Sequence, residues 1–159
     1  MQFGFTLQYL LATLLFSGLL AISLIDYDHQ LIPDQINLVL LLAGISLLAL
    51  QSRAVLVNGL LGALVGFGAL FVVAVVSKGG MGGGDVKLAG VLGLYLGWPN
   101  ILMALFLSFI IGSVIGLTWA AVKQKSLKTA LPFGPFLSVA AMLVLLWGQE
   151  IISWYWNLF

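Results

Sequence analysis

The sequence predicts an all-α, polytopic integral membrane protein of about six transmembrane helices, built as one domain over residues 1–159. Three observations carry that prediction. The chain is 62% hydrophobic with a mean hydropathy of +1.19, and only 7% of it is charged. A soluble domain is about half apolar and about a quarter charged. Long uncharged stretches recur along the chain, and no polar linker separates two halves. The lysines also fall where a bundle of six spans would gather them on one face.

The spans follow in order. A spanning helix needs about 20 residues at about 1.5 Å rise each. Met1–Ile25 is uncharged, lacks a basic leader region and has no small-residue cleavage site. It therefore reads as a retained first span, roughly Phe3–Ile25, and not as a cleaved signal. Pro33 closes the acidic loop after it, and Asp34–Gln51 follows as the second span. The third, Ala54–Val76, carries Gly59, Gly62, Gly66 and Gly68, small residues that permit close helix packing. The uncharged run Leu88–Val122 is too long for one span, and Trp98-Pro99-Asn100 offers a turn within it. Splitting there gives Asp85–Trp98 and Asn100–Val122, the latter with Gly112, Ser113 and Gly116 as packing residues. The sixth span is Pro135–Trp154, where Trp154, Tyr155 and Trp156 read as an interfacial belt. Because the fourth span is short, a Trp98 at the far interface draws Asp85 inward from the membrane surface.

Charge placement orients the bundle. With six spans, the loops Asp26–Pro33, Ser77–Gly84 and Lys123–Pro132 share one side, together with Lys78, Lys87, Lys123, Lys125 and Lys128. Only Arg53 falls on the other. The lysine-rich side is expected to be cytoplasmic and both chain ends extracytoplasmic. All four aspartates and His29 belong to the cytoplasmic side as well.

Ionisable groups near a bilayer are costly, so function is the first hypothesis for them. Asp26 ends the first span, and a carboxylate at a helix C-terminus opposes the macrodipole, so helix stability did not select it. Asp34 follows Pro33 at the start of the second span, where an N-cap is the simplest role, with a supporting part in the site behind it. Asp28 and His29 read as solvated; a metal site from Asp26, Asp28 and His29 has no specific spacing to recommend it. Asp85 follows Gly79-Gly80-Met81-Gly82-Gly83-Gly84. Glycines permit positive φ and close backbone approach. A phosphate loop fits poorly, since no Lys-Ser or Lys-Thr follows and an acid at the helix start repels phosphate. A loop of this kind instead lets an extended peptide lie against bare backbone beside a carboxylate. Lys87 faces away from Asp85 on a helix and is expected to snorkel to the headgroups.

Two carboxylates sharing a proton and a water can hydrolyse a peptide bond. Nothing else in the chain offers a complete catalytic set. It has no cysteine, which excludes disulfides, thiolate catalysis and cysteine-based zinc sites. No metal, organic cofactor or nucleic-acid partner is expected. A small proton- or cation-coupled transporter is the alternative, with the same acids binding an ion. Against it, the acids cluster at one face instead of the midplane. A purely structural subunit leaves the glycine loop unexplained.

The segment Ile25-Asp26-Tyr27-Asp28-His29-Gln30-Leu31-Ile32-Pro33-Asp34, with Gly80-Met81-Gly82-Gly83-Gly84-Asp85-Val86-Lys87-Leu88, closely resembles the type IV prepilin peptidases, membrane aspartic proteases of the GxGD class. Pro132-Phe133-Gly134-Pro135-Phe136 looks like that family's last cytoplasmic loop. The resemblance runs over nearly the whole chain with the blocks in order. It implies Asp26 and Asp85 as the catalytic pair and Gly82 and Gly84 as the family's glycines. It also implies leader removal from prepilins or pseudopilins at the cytoplasmic face of a bacterial plasma membrane, next to the substrate's apolar helix. Asp28 and Asp34 are expected to attract the basic leader. Many relatives add an N-terminal region with paired CxxC motifs and methylate the new N-terminus. This sequence carries no such motif, so peptidase activity alone is expected of it.

Overall fold

The computed structural model describes residues 7–78, 80–123 and 132–156. Six helices follow one another: α1 (Leu7–His29), α2 (Asp34–Gln51), α3 (Arg53–Val76), α4 (Gly83–Leu96), α5 (Asn100–Lys123) and α6 (Gly134–Trp156). No strand occurs among the described residues. The chain is a multi-pass membrane protein: α1, α2, α3 and the Asn100–Trp119 part of α5 are each long and apolar enough to cross a bilayer.

Each outer helix turns one narrow stripe inward. In α1 the buried residues are Leu11, Leu15, Leu19, Ile22 and Asp26, the spacing of one helical face. In α2 they are Asn37, Leu40, Gly44 and Leu48, and in α3 Gly59, Gly62, Gly66 and Leu70. The remaining faces carry exposed Leu, Val and Phe side chains such as Leu24, Leu64 and Phe106, which suit lipid and not water.

These stripes close around α4. Contacts run from α1 to α2, α2 to α3, α3 to α5, α5 to α6 and α6 back to α1, while α4 touches α2, α3, α5 and α6. Ten of its fourteen residues are buried. At 14 residues it is about 21 Å long, short of the roughly 30 Å hydrocarbon core. The helix expected to be a short fourth span is thus an internal one, and its first turn lies against Ile32 in the connection between α1 and α2.

Glycine makes the α3–α4 contact possible. A Cβ at Gly62 would collide with the Gly93 carbonyl and one at Gly93 with the Gly62 carbonyl, while Gly66 lies on the Ala89 carbonyl and Gly59 on that of Leu94. Gly112 packs beneath the Phe136 ring between α5 and α6. Gly68 departs from the expectation: a Cβ there meets nothing within 4 Å. It lies off the stripe that Gly59, Gly62 and Gly66 form. At the far end of α4, Gly97 adopts φ +70°, and the Trp98 N–H donates to Asn58 Oδ1 at 3.2 Å, which turns the chain into α5.

The end of α1 and the capping of α2 differ from the sequence reading, while the bounds of α2 are those expected. Helix α1 continues one turn past Ile25 to His29, and Gln30, at φ 51°, ends it. Asp26 therefore sits inside the helix instead of closing it. Lipid ends where polar residues begin, but the backbone ladder does not have to. Helix α2 begins at Asp34 with Pro33 before it, and no side chain caps that end. Lys125 and Lys128, and the side chains of Lys123, Trp154, Tyr155 and Trp156, lie outside the described residues.

Candidate active site

Asp26 and Asp85 are brought together by the end of α1 and the start of α4. Asp26 occupies the last position of the buried stripe of α1, one turn beyond Ile22, and is 5% exposed. The spacing that buries Leu15 and Leu19 buries this carboxylate too. Its Oδ2 accepts a hydrogen bond from the backbone N–H of Gly134 at 2.9 Å, at the first residue of α6. Asp85 lies in the first turn of α4 and is 9% exposed. Its Oδ2 accepts from the backbone N–H of Gly82 at 3.2 Å, folding the glycine loop back over the helix start. An acid at this position also suits the positive end of the helix dipole.

Both carboxylates line one cavity of about 520 Å³, closed by Ile32 and Pro33 on one side and Gly82, Gly83 and Gly84 on the other. They are near enough to feel each other's charge. Two buried acids in one cavity, neither of them in an ion pair among the described residues, suit general acid–base chemistry on a water held between them.

The glycine loop earns its composition by close approach. Among the described residues only Gly97 has a glycine at positive φ; Gly82 sits at φ −72°. A Cβ on Gly84 would come within 2.9 Å of Ile32 Cβ, and one on Gly82 within 3.1 Å of Asp85 Oδ2. Ile32, 8% exposed, thus wedges against Gly84. Its side chain also lies beside Gly134. Gly79 is outside the described residues.

Asp34 and Lys87 take roles other than those expected. Lys87 Nζ donates to both carboxylate oxygens of Asp34 at 2.8 Å. Asp34 is therefore an ion-pair partner and not a cap, and Lys87 spans from α4 to α2 instead of reaching outward alone. The pair is more than half exposed and stands on the cavity's rim. Asp28 and His29 are exposed, and neither lines the cavity. No cluster of three or more potential metal ligands occurs among the described residues.

Sequence reasoning missed Gly134 and Ile32 as parts of this site. The Pro132–Phe136 block marked the right segment, but nothing in it singled out a backbone N–H. Ile32 sits between Leu31 and Pro33 in the short connection from α1 to α2, and nothing in that run sets it apart until its neighbours are known.

Compared with known proteins, the chain matches the Type IV leader peptidase family over residues 13–117, a stretch that holds Asp26, the glycine loop and Asp85 and ends before Gly134. A prepilin leader peptidase/N-methyltransferase of Stutzerimonas stutzeri is 40% identical over 159 residues, covering 97% of this chain and 55% of its own length. The protein of that name from Pseudomonas aeruginosa shows the same identity and coverage. The one from Legionella pneumophila is 39% identical over 160 residues, again with 97% and 55% covered. The chain spans about half the length of the curated relatives it matches. No solved structure matches it.

Proposed function

The chain belongs to the type IV leader peptidase family, and from that premise we propose that it is a membrane aspartic endopeptidase. Its substrates are prepilins or pseudopilins, from which it removes the leader peptide at the cytoplasmic face of a bacterial plasma membrane. The observation that carries this reading is the pair Asp26 and Asp85, buried on separate helices around one cavity. The names of the relatives supply the substrate class.

One carboxylate takes a proton from water as the water oxygen attacks the scissile carbonyl carbon. The other donates to the carbonyl oxygen. Collapse of the tetrahedral intermediate breaks the C–N bond, and a proton passes to the leaving amine. Holding each acid by a backbone N–H fixes its position before substrate arrives, which is where much of the rate of such a site originates. The bare backbone of Gly82, Gly83 and Gly84 leaves room for an extended peptide along the cavity wall.

Lysine placement supports the cytoplasmic orientation. Lys78 and Lys87 belong to the end of the bundle that holds the cavity, and Arg53 starts α3 at the other end.

Co-expression with a prepilin tests it. The wild type removes the leader, seen as a mobility shift on a gel, whereas Asp26→Asn and Asp85→Asn each leave the precursor intact. Full cleavage by either variant refutes the paired mechanism. Ion-dependent flux in liposomes without any cleavage would favour a transporter.

A further inference from the structure

Beside the catalytic cavity lies a second concavity of about 480 Å³, between α2, α3 and α4. Leu38 and Leu41 of α2, Ala63 and Phe67 of α3, and Gly90 and Val91 of α4 make its walls. Leu38 and Phe67 are 55% and 44% exposed, so it opens toward the lipid side. Asp34 and Lys87 line this groove and the catalytic cavity alike. Their ion pair is the threshold between a polar chamber and an apolar one.

Asn37 stands one turn beyond Asp34 in the wall of the groove. It is 5% exposed, and neither its Oδ1 nor its Nδ2 has a hydrogen-bond partner among the described residues. Buried amides are nearly always paired, so an orphaned one in a cavity wall points to an occupant.

We propose that the groove seats the substrate's apolar helix on the far side of the scissile bond, with Asn37 pairing the free backbone groups at that helix's N-terminus. This rests on the peptidase reading above. A peptide leaving the catalytic cavity over the Asp34–Lys87 threshold enters an apolar groove open to lipid. There its backbone has no water to bond with, so it must be helical, and its side chains must be apolar. The first N–H groups of any helix lack partners in their own ladder, and Asn37 Oδ1 is an acceptor without a donor. A lipid tail would suit the apolar walls, but it offers Asn37 no N–H and does not extend into the catalytic cavity.

Two synthetic substrates test the assignment, using the full chain in lipid nanodiscs. Both carry a basic leader and the scissile bond; one stops shortly after it, and the other continues into an apolar helix of about 20 residues. Leu38→Trp fills the groove from its exposed side. It lowers the ratio of kcat/KM for the long substrate over the short one by about tenfold, mainly through KM. Leu146→Trp, on the exposed face of α6, leaves that ratio unchanged. Asn37→Leu raises the thermal midpoint, because an unpaired amide is removed, yet raises KM for the long substrate. A merely structural asparagine would lower the midpoint. A photo-crosslinker at Phe67, in an Asp85→Asn background, attaches to the substrate's apolar helix.

An unchanged ratio in Leu38→Trp, or crosslinks to lipid alone, overturns the groove assignment while wild-type cleavage keeps the peptidase reading intact. Failure of the wild type to cleave either substrate overturns the peptidase reading itself.

Discussion

The backbone N–H of Gly134 donates to Oδ2 of Asp26 at 2.9 Å, joining two residues 108 apart in the chain. A Cβ on Gly134 would lie 2.6 Å from that same oxygen. The last helix thus sets the position of a carboxylate on the first, and it can do so only because the donor residue has no side chain. The α1–α6 contact that closes the helical ring is also what orients the site.

Gly134→Ala pushes Asp26 out of place. A displacement approaching 1 Å can cost about 100-fold in rate, so kcat falls on that order while KM for a prepilin substrate changes little. Alanine fits the local backbone, since Gly134 is not at positive φ. Membrane expression therefore stays normal, and initial-rate kinetics on the purified protein check the split.

The α3–α4 contact is predicted to tolerate no side chain at Gly93. Overpacking a filled interface costs about 1–3 kcal/mol or more, and Gly93→Val collides with backbone and not with a movable side chain. Thermal unfolding in detergent should show a clear loss of stability. Gly68→Val, facing open space on the same helix pair, should leave the midpoint nearly unchanged.

The exposed pair Asp34–Lys87 contributes little to stability. Ion pairs this accessible are worth about 0–1 kcal/mol. Asp34→Asn, Lys87→Gln and the double variant form a cycle whose coupling energy, read from chemical denaturation, should fall within that range.

Much of this arrangement was legible in the sequence. Charge scarcity singled out Asp26 and Asp85, but the sequence reading closed the first span before Asp26, and only the extra turn of α1 to His29 puts that acid on the buried face of Leu15, Leu19 and Ile22. The residues that complete the site were harder to read for physical reasons. Gly134 acts through a backbone N–H and a missing Cβ, which leave no side-chain signature. Asp34 looked like a cap because capping is local, whereas its real partner, Lys87, lies 53 positions away. Of the two properties that glycine offers a loop, close approach and positive φ, only the first is used by the described residues 80–84. These residues supply close approach to Ile32 and Asp85 and not unusual backbone angles.

Ile32 fills the space between Gly84 and Gly134, so trimming it should loosen both sides of the cavity. Ile32→Ala is expected to cost about 2–5 kcal/mol if the gap stays open. Ile32→Val should cost far less, and melting curves of the two show whether the loss grows with the volume removed.

In the proposed mechanism Asp26 and Asp85 act as one unit on one water. Steady-state rates for Asp26→Asn, Asp85→Asn and the double variant, measured on the same prepilin substrate, test it most directly. Residues that work as a unit are grossly non-additive: removing one costs about as much as removing all. Each single variant is expected to lose nearly all cleavage, and the double variant to be no slower than either. A single variant with undiminished cleavage, or a double variant slower by the product of the two single losses, would contradict that mechanism.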